Sequence, residues 1–147
     1  MVIKLQKSIE FQLIHHNIPQ LSSRFEAAFN GHSEVCHLIL DNVQDKNPRT
    51  HDGWTPLHSA INGNNLEVFE LLFDNVEDKN PMNDGCWSPF HLAARFGRIE
   101  ICRFIVDNLE DKNPCQRVRW NQYTPLDFAI RNGHQNIANY IKSKLVN

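Results

Sequence analysis

The amino-acid sequence predicts an all-α protein built as a solenoid of about four helix-turn-helix units. Close copies of one segment recur along the chain, at Asp52–Ala60, Trp87–Ala93 and Tyr123–Ala129. A second marker, Asp-Lys-Asn-Pro, begins at Asp45, Asp78 and Asp111, at intervals of 33 residues. Thr55 and Ser88 in the first marker are also 33 residues apart. Two markers in phase indicate internal repeats, and short helix pairs must stack on their neighbours to bury their apolar faces.

Length, charge and hydropathy restrict the kind of protein that is possible. The chain has 147 residues and a formal net charge of −2, which suits one small domain and disfavours a generic binder of nucleic acid or anionic membranes. Residues 1–16 alternate apolar and polar side chains, so they lack the apolar core of a signal peptide, and no long apolar run follows. We expect a monomeric protein of the cytoplasm or nucleus that does not enter a membrane.

The N-terminal residues carry apolar side chains at helical spacing, namely Val2, Leu5, Ile9 and Leu13. This pattern predicts an amphipathic capping helix over residues 1–21 that covers the exposed end of the helix stack. Asn17-Ile18-Pro19 gives a stop signal within this segment. A frayed N-terminal tail is the alternative.

Each central unit reads as a helical hairpin. Thr55-Pro56 marks a helix start, because a Thr hydroxyl can cap a free backbone N–H and Pro at the first helical position loses no hydrogen bond. The turn after that short helix contains Gly63, and a second apolar stripe follows, at Leu66, Val68, Phe69, Leu71 and Leu72. The next unit repeats this pattern, and the last unit ends in a stripe with a polar outer face.

Asparagine occupies the expected end of three second helices, at Asn42, Asn75 and Asn108. Because Asn tolerates positive φ better than most residues, we expect left-handed caps there.

Thr55–Ala60 matches the signature T-P-L-H-x-A, so the chain resembles the ankyrin-repeat family; Ser88–Ala93 and Thr124–Ala129 are variants of the signature. The resemblance implies an ankyrin-repeat domain over 22–145, with units 22–48, 49–81, 82–114 and 115–145, after the capping helix that the apolar spacing predicts over 1–21. It also implies short β-turn fingers between the helix pairs. In the family, a histidine such as His58 or His91 holds its turn and the neighbouring unit through hydrogen bonds.

The resemblance implies a non-enzymatic protein-protein interaction module, a scaffold or adaptor that binds through its turn tips and the concave face of its first helices. The alternative is a regulatory inhibitor that masks a surface of a transcription factor or an enzyme. Nucleotide-binding, hydrolase and zinc-protease motifs do not occur in the sequence, and we expect no catalytic residue, metal site or cofactor. Cys36 and Cys102 occupy equivalent repeat positions and are expected to be small buried apolar residues.

Residues at the turn tips and the ends of the first helices are not constrained by the repeat pattern. The aromatic and arginine side chains among them are the predicted partner-binding residues, because such side chains are the usual anchors of protein interfaces. They are Trp54, Trp87, Arg95, Phe96, Arg117, Arg119, Trp120, Tyr123 and Arg131. Trp54, Trp87 and Tyr123 are at one equivalent position, which predicts an aromatic ladder along the turns. The alternative is that each ring packs only on its own turn.

Three residues are inserted in the last turn, where Arg117-Val118-Arg119-Trp120 alternates like a β finger. Because arginine binds carboxylates and Trp120 supplies apolar area, we expect the partner to be a protein or a peptide segment that is both acidic and apolar. A solvated loop is the alternative. Asn80 is a possible modification site, since Leu72 and Asp78 precede it at a spacing resembling the one that asparaginyl hydroxylases read in ankyrin proteins. A purely structural role in the loop is the alternative for Asn80.

Overall fold

The computed structural model describes residues 21–114, 116–118 and 121–146. Apart from Leu21, the predicted capping helix lies outside the described residues. The described ranges contain eight α-helices and one two-stranded hairpin. The helices are α1 (Leu21–Asn30), α2 (Ser33–Asn42), α3 (Pro56–Asn62), α4 (Leu66–Asn75), α5 (Pro89–Phe96), α6 (Ile99–Asn108), α7 (Pro125–Arg131) and α8 (Gln135–Leu145). The predicted all-α fold of paired helices is confirmed.

The contacts divide the chain into two compact units. Among the described residues, the first unit includes 21–50 together with Thr55–Glu77, and the second includes His51–Trp54 together with those from Asp78 onwards. In the first unit α1 packs on α3 and α2 packs on α4. In the second unit α5 packs on α7 and α6 packs on α8. Within each unit, first helices therefore lie against first helices and second helices against second helices.

Apolar side chains that recur at helical spacing fill the core of each unit. Leu57, Ile61 and Phe69 are fully buried in the first unit. The equivalent core of the second unit contains Phe90, Ile101, Ile105, Ile137 and Ile141. Cys36 and Cys102 are also buried, which confirms the prediction that they are apolar core residues.

Helices α3, α5 and α7 begin at a Thr-Pro or Ser-Pro pair, as predicted, whereas α1 begins at Leu21 without one. In α7 the carboxylate of Asp127 accepts hydrogen bonds from the Thr124 backbone N–H and hydroxyl, both at 2.8 Å. In α3 the Nδ1 atom of His58 accepts a bond from the Thr55 backbone N–H at 3.1 Å. Asp127 thus performs the same capping task as the histidine that it replaces in the repeat signature.

The prediction of left-handed asparagine caps is wrong. Asn42, Asn75 and Asn108 are the last residues of their helices, none has positive φ, and an extended residue follows each. Their side-chain amides instead donate to the carbonyl four residues back, at 2.8, 2.9 and 2.8 Å respectively. The asparagine satisfies a free carbonyl at the helix end through its side chain, so the backbone does not need to reverse.

The insertion before α7 forms the predicted finger, an antiparallel hairpin of β1 (Gln116–Val118) and β2 (Asn121–Tyr123). Gln116 pairs with Tyr123 and Val118 pairs with Asn121. The last residue of β2, Tyr123, therefore lies at the start of α7. In the ranges that the structure describes, no helix has the length and hydropathy required to cross a membrane.

Candidate functional site

Phe128 joins two of the predicted anchor residues in the second unit. Its ring centroid lies 4.9 Å from that of Trp87 and 5.7 Å from that of Tyr123. All three rings are half-buried. Trp87 and Tyr123 are therefore connected through a residue of α7, and Trp87 reaches beyond its own turn.

Two arginines cover the outer faces of these rings. The guanidinium carbon of Arg95 lies 4.8 Å from the Trp87 ring centroid, and that of Arg131 lies 4.4 Å from the Tyr123 centroid. Both arginines are exposed and lie in the last turns of α5 and α7, where the negative end of the helix dipole favours a cation. We call Trp87, Arg95, Tyr123, Phe128 and Arg131 the arginine-aromatic surface.

Exposed apolar side chains border this surface. Phe96 follows Arg95 and is 43% exposed, and Ile130 precedes Arg131 and is 49% exposed. The Arg95 guanidinium lies 5.8 Å from the Phe96 ring centroid. An open groove beside α7 is lined by Gln122, Tyr123, Asp127, Ile130 and Arg131. Each arginine therefore has an apolar neighbour that solvent can reach.

Two cations on the second helices, Arg103 and Lys144, are arranged differently, because each has an acidic partner. The Lys144 ammonium lies 3.0 Å from the Asp107 carboxylate, and the Arg103 guanidinium lies 3.8 Å from Glu100. Hydrogen bonds from Lys144 and Tyr140 lower the pKa of Asp107. Among the described residues, Arg95 and Arg131 have no carboxylate partner within salt-bridge distance.

His91 lies beneath the arginine-aromatic surface and supports it. The ring is fully buried, with Nδ1 2.7 Å from the Ser88 hydroxyl oxygen and Nε2 3.3 Å from the Tyr123 carbonyl oxygen. Burial lowers the pKa of His91 to about 4, so the neutral ring donates from Nε2 to the carbonyl and accepts from the Ser88 hydroxyl at Nδ1. Both nitrogens are engaged in holding the turn and the next helix pair, as the family resemblance implies.

The described parts of the chain give little support to covalent or metal chemistry. Burial raises the pKa of the Cys36 thiol to about 12 and also raises the pKa of Cys102, so neither thiol is an activated nucleophile. No group of three or more His, Cys, Asp or Glu side chains in the described ranges could hold a metal ion.

The predicted binding residues are only partly brought together. Trp87, Arg95, Phe96, Tyr123 and Arg131 lie on or beside the arginine-aromatic surface.

The other four predicted residues are less fully described. Trp54 is half-buried in the turn before α3, and Arg117 lies in β1 opposite Gln122. Arg119 and Trp120 lie outside the described residues.

Asn80, the possible modification site, has structural contacts. Its side-chain Oδ1 accepts a bond from the Phe90 N–H at 3.1 Å, and its own N–H donates to Asp78 at 3.2 Å.

Sequence reasoning missed Phe128 and Ile130. Phe128 occupies the variable position of the T-P-L-H-x-A signature, where the earlier units have Ser59 and Leu92. A large aromatic residue at a position that the repeat does not constrain could have identified Phe128 as a candidate site residue. Ile130 had a weaker signal, because one apolar residue on a short helix is usually a core residue.

The family model described as ankyrin repeats (3 copies) matches residues 24–115 and 75–147. No curated protein sequence matches the chain significantly.

Proposed function

Because the chain belongs to the ankyrin-repeat family, we propose that it binds a protein partner through the arginine-aromatic surface and the adjoining turn tips. Ankyrin repeats are generally protein-protein interaction modules, and the family is typically non-enzymatic. The observation that carries the proposal is the stacking of Arg95 on Trp87 and of Arg131 on Tyr123 around the shared contact with Phe128. The chain acts as a scaffold or adaptor and catalyses no reaction.

The rigidity of this surface favours binding. Ring contacts with Phe128 restrict Trp87 and Tyr123, and stacking restricts the two arginines. A partner therefore meets side chains that have already lost much of their rotamer freedom, which lowers the entropy cost of association. Tryptophan, tyrosine and arginine are also the residue types that most often contribute large binding energies at interfaces.

The exposed apolar residues give a direct test that leaves the core intact. Affinity capture followed by mass spectrometry would identify partners of the parent chain, and each would then be purified for affinity measurement. We expect Phe96→Ala combined with Ile130→Ala to weaken binding at least tenfold, roughly 1.4 kcal/mol. Leu145→Ala is the matched control, because Leu145 is 46% exposed at the end of α8 and lies off this surface. Equal affinities for parent, double variant and control would refute the proposal.

The finger is the second part of the proposed site. We expect Arg117→Glu with Arg119→Glu, and separately Trp120→Ala, to weaken binding of the same purified partner without changing thermal stability. If these substitutions leave the affinity within about 0.5 kcal/mol of the parent, the ordinary range for surface changes, the finger does not contact that partner. The arginine-aromatic surface would then act without it.

A further inference from the structure

We propose that Arg95 and Arg131 form a paired clamp for two carboxylate side chains of an extended acidic segment in the partner. This inference rests on the proposed protein-binding function and assigns the chemistry of the partner. The two arginines have the same place in successive helix pairs, each in the last turn of a first helix. Each also stacks on an aromatic ring and is adjacent in sequence to an exposed apolar residue.

Stacking prepares each guanidinium to bind a carboxylate. A planar guanidinium that lies over a ring keeps its N–H edges available, and those edges match the two oxygens of a carboxylate. Arg103 provides the internal comparison, because it also lies over a ring, that of Tyr140 at 5.5 Å, but has Glu100 within 3.8 Å. Arg95 and Arg131 also stack on aromatic rings, but in the described ranges no acidic group lies within salt-bridge distance of either.

Helix packing sets the spacing of the expected acidic residues. Helices α5 and α7 pack directly on each other, and the axes of packed helices are about 8–10 Å apart. Alternate residues of an extended chain face the same side and are about 7 Å apart. The arginine side chains are long enough to make up the difference between the helix spacing and the spacing of alternate residues in the extended segment. Carboxylates two residues apart, with apolar residues between and beside them, therefore fit Arg95 and Arg131 together with Phe96 and Ile130.

The surroundings favour carboxylates over phosphate groups. Both arginines lie at helix C-termini, where the partial negative charge of the backbone opposes a dianion more strongly than a monoanion. Asp127 lines the groove beside Arg131. Its Oδ2 atom is already bonded to Thr124, and its negative charge further disfavours a doubly charged ligand.

The probe for this inference is a fluorescent synthetic peptide of alternating glutamate and leucine, measured by anisotropy against the full chain. A matched peptide has glutamine in place of glutamate, and a third has phosphoserine there. We expect the glutamate peptide to bind more tightly than both. Arg95→Gln and Arg131→Gln should each weaken its binding about tenfold or more, since tenfold is the lower end of the effect of losing a hydrogen bond to a charged group.

Two further variants separate stacked recognition from general attraction between charges. Arg103→Gln removes the same charge from the other side of the unit and should change affinity less than twofold. Arg95→Lys with Arg131→Lys keeps the charge but loses the planar fork, and should weaken binding nearly as much as the glutamine variants. The inference would be overturned if Arg103→Gln weakened peptide binding as much as Arg95→Gln and Arg131→Gln do. It would also be overturned if the lysine double variant kept full affinity.

The peptides and the purified partner distinguish failure of the clamp from failure of the proposed function. No measurable binding of the glutamate peptide, equal binding of the glutamine peptide or tighter binding of the phosphoserine peptide overturns the carboxylate assignment. If a purified partner loses affinity on Phe96→Ala with Ile130→Ala but not on Arg95→Gln with Arg131→Gln, the binding surface stands and the clamp is refuted. If neither pair of changes affects partner binding, both proposals are refuted.

Discussion

Gly97 links the fold of the second unit to the candidate site, and its replacement by alanine has a calculable cost. Gly97 ends α5 with φ of 71°, a left-handed conformation that costs a non-glycine residue about 1–2 kcal/mol. A Cβ atom added there would lie 2.6 Å from Cε1 of His134. The same histidine has its Nε2 atom 3.0 Å from the Arg95 carbonyl oxygen. An alanine at this position therefore displaces the ring that holds the end of α5.

Gly133 is the matched control for this substitution. It occupies the equivalent position after α7 with φ of 75°, but a Cβ atom there would meet no atom of the described residues within 4 Å. Alanine also restricts the unfolded chain, which recovers about 0.4–1 kcal/mol. We therefore expect Gly133→Ala to lower the free energy of unfolding by about 1 kcal/mol. Gly97→Ala should cost about 2 kcal/mol, because it also breaks a hydrogen bond that contributes about 0.5–1.5 kcal/mol.

Urea denaturation at 25 °C of the two single variants would measure this difference. A double-mutant cycle of Gly97→Ala with His134→Ala isolates the clash, and the two changes should be coupled by about 1 kcal/mol in the favourable direction. Equal destabilisation by Gly97→Ala and Gly133→Ala, together with no coupling to His134, would refute the reasoning.

Three further predictions concern the core, the buried histidine and the loop asparagine. Leu72→Ala and Ile105→Ala, both at buried positions, should each lower the free energy of unfolding by about 2–5 kcal/mol; unchanged urea midpoints would contradict this. Stability should fall by up to about 3 kcal/mol as the pH drops from 6.5 to about 4, because the unfolded chain binds a proton that His91 excludes when folded. A His91→Gln variant should lose less stability over that window. An asparaginyl hydroxylase with its cosubstrates should add one oxygen atom to Asn80, and an unchanged peptide mass would remove that proposal.

The fold could be predicted from the sequence because the repeat signals are local and recur. Thr55-Pro56, Ser88-Pro89 and the left-handed glycines each determine a helix start or a turn with little help from distant residues. The asparagine helix ends show the limit of that reasoning. Comparison with glycine predicts a backbone role for Asn75, but its side-chain amide donates to a carbonyl in the last turn of the helix, a solution that glycine lacks.

The site was harder to predict because it depends on contacts between helix pairs. The repeat phase selected Arg95 and Arg131, since equivalent positions can be read from spacing alone, and both lie on the arginine-aromatic surface. It could not show that the Phe128 ring would join Trp87 to Tyr123. That contact depends on how α7 packs against α5, a tertiary arrangement that is not encoded in any single segment.

The residues that repeat and the residues that vary have different tasks in this chain. In the Asp-Lys-Asn-Pro loops, Asn80 and Asn113 each accept a bond from the second residue of the following first helix, at 3.1 Å. Asparagine therefore recurs at these loop positions because its side chain bonds the start of the following helix. The position equivalent to Arg95 is Asn62 in the preceding pair, and the position equivalent to Phe128 is Ser59 in the second pair. Short polar residues there cannot form stacked arginines or a ring contact of this kind, so we infer that the binding chemistry belongs to the third and fourth helix pairs.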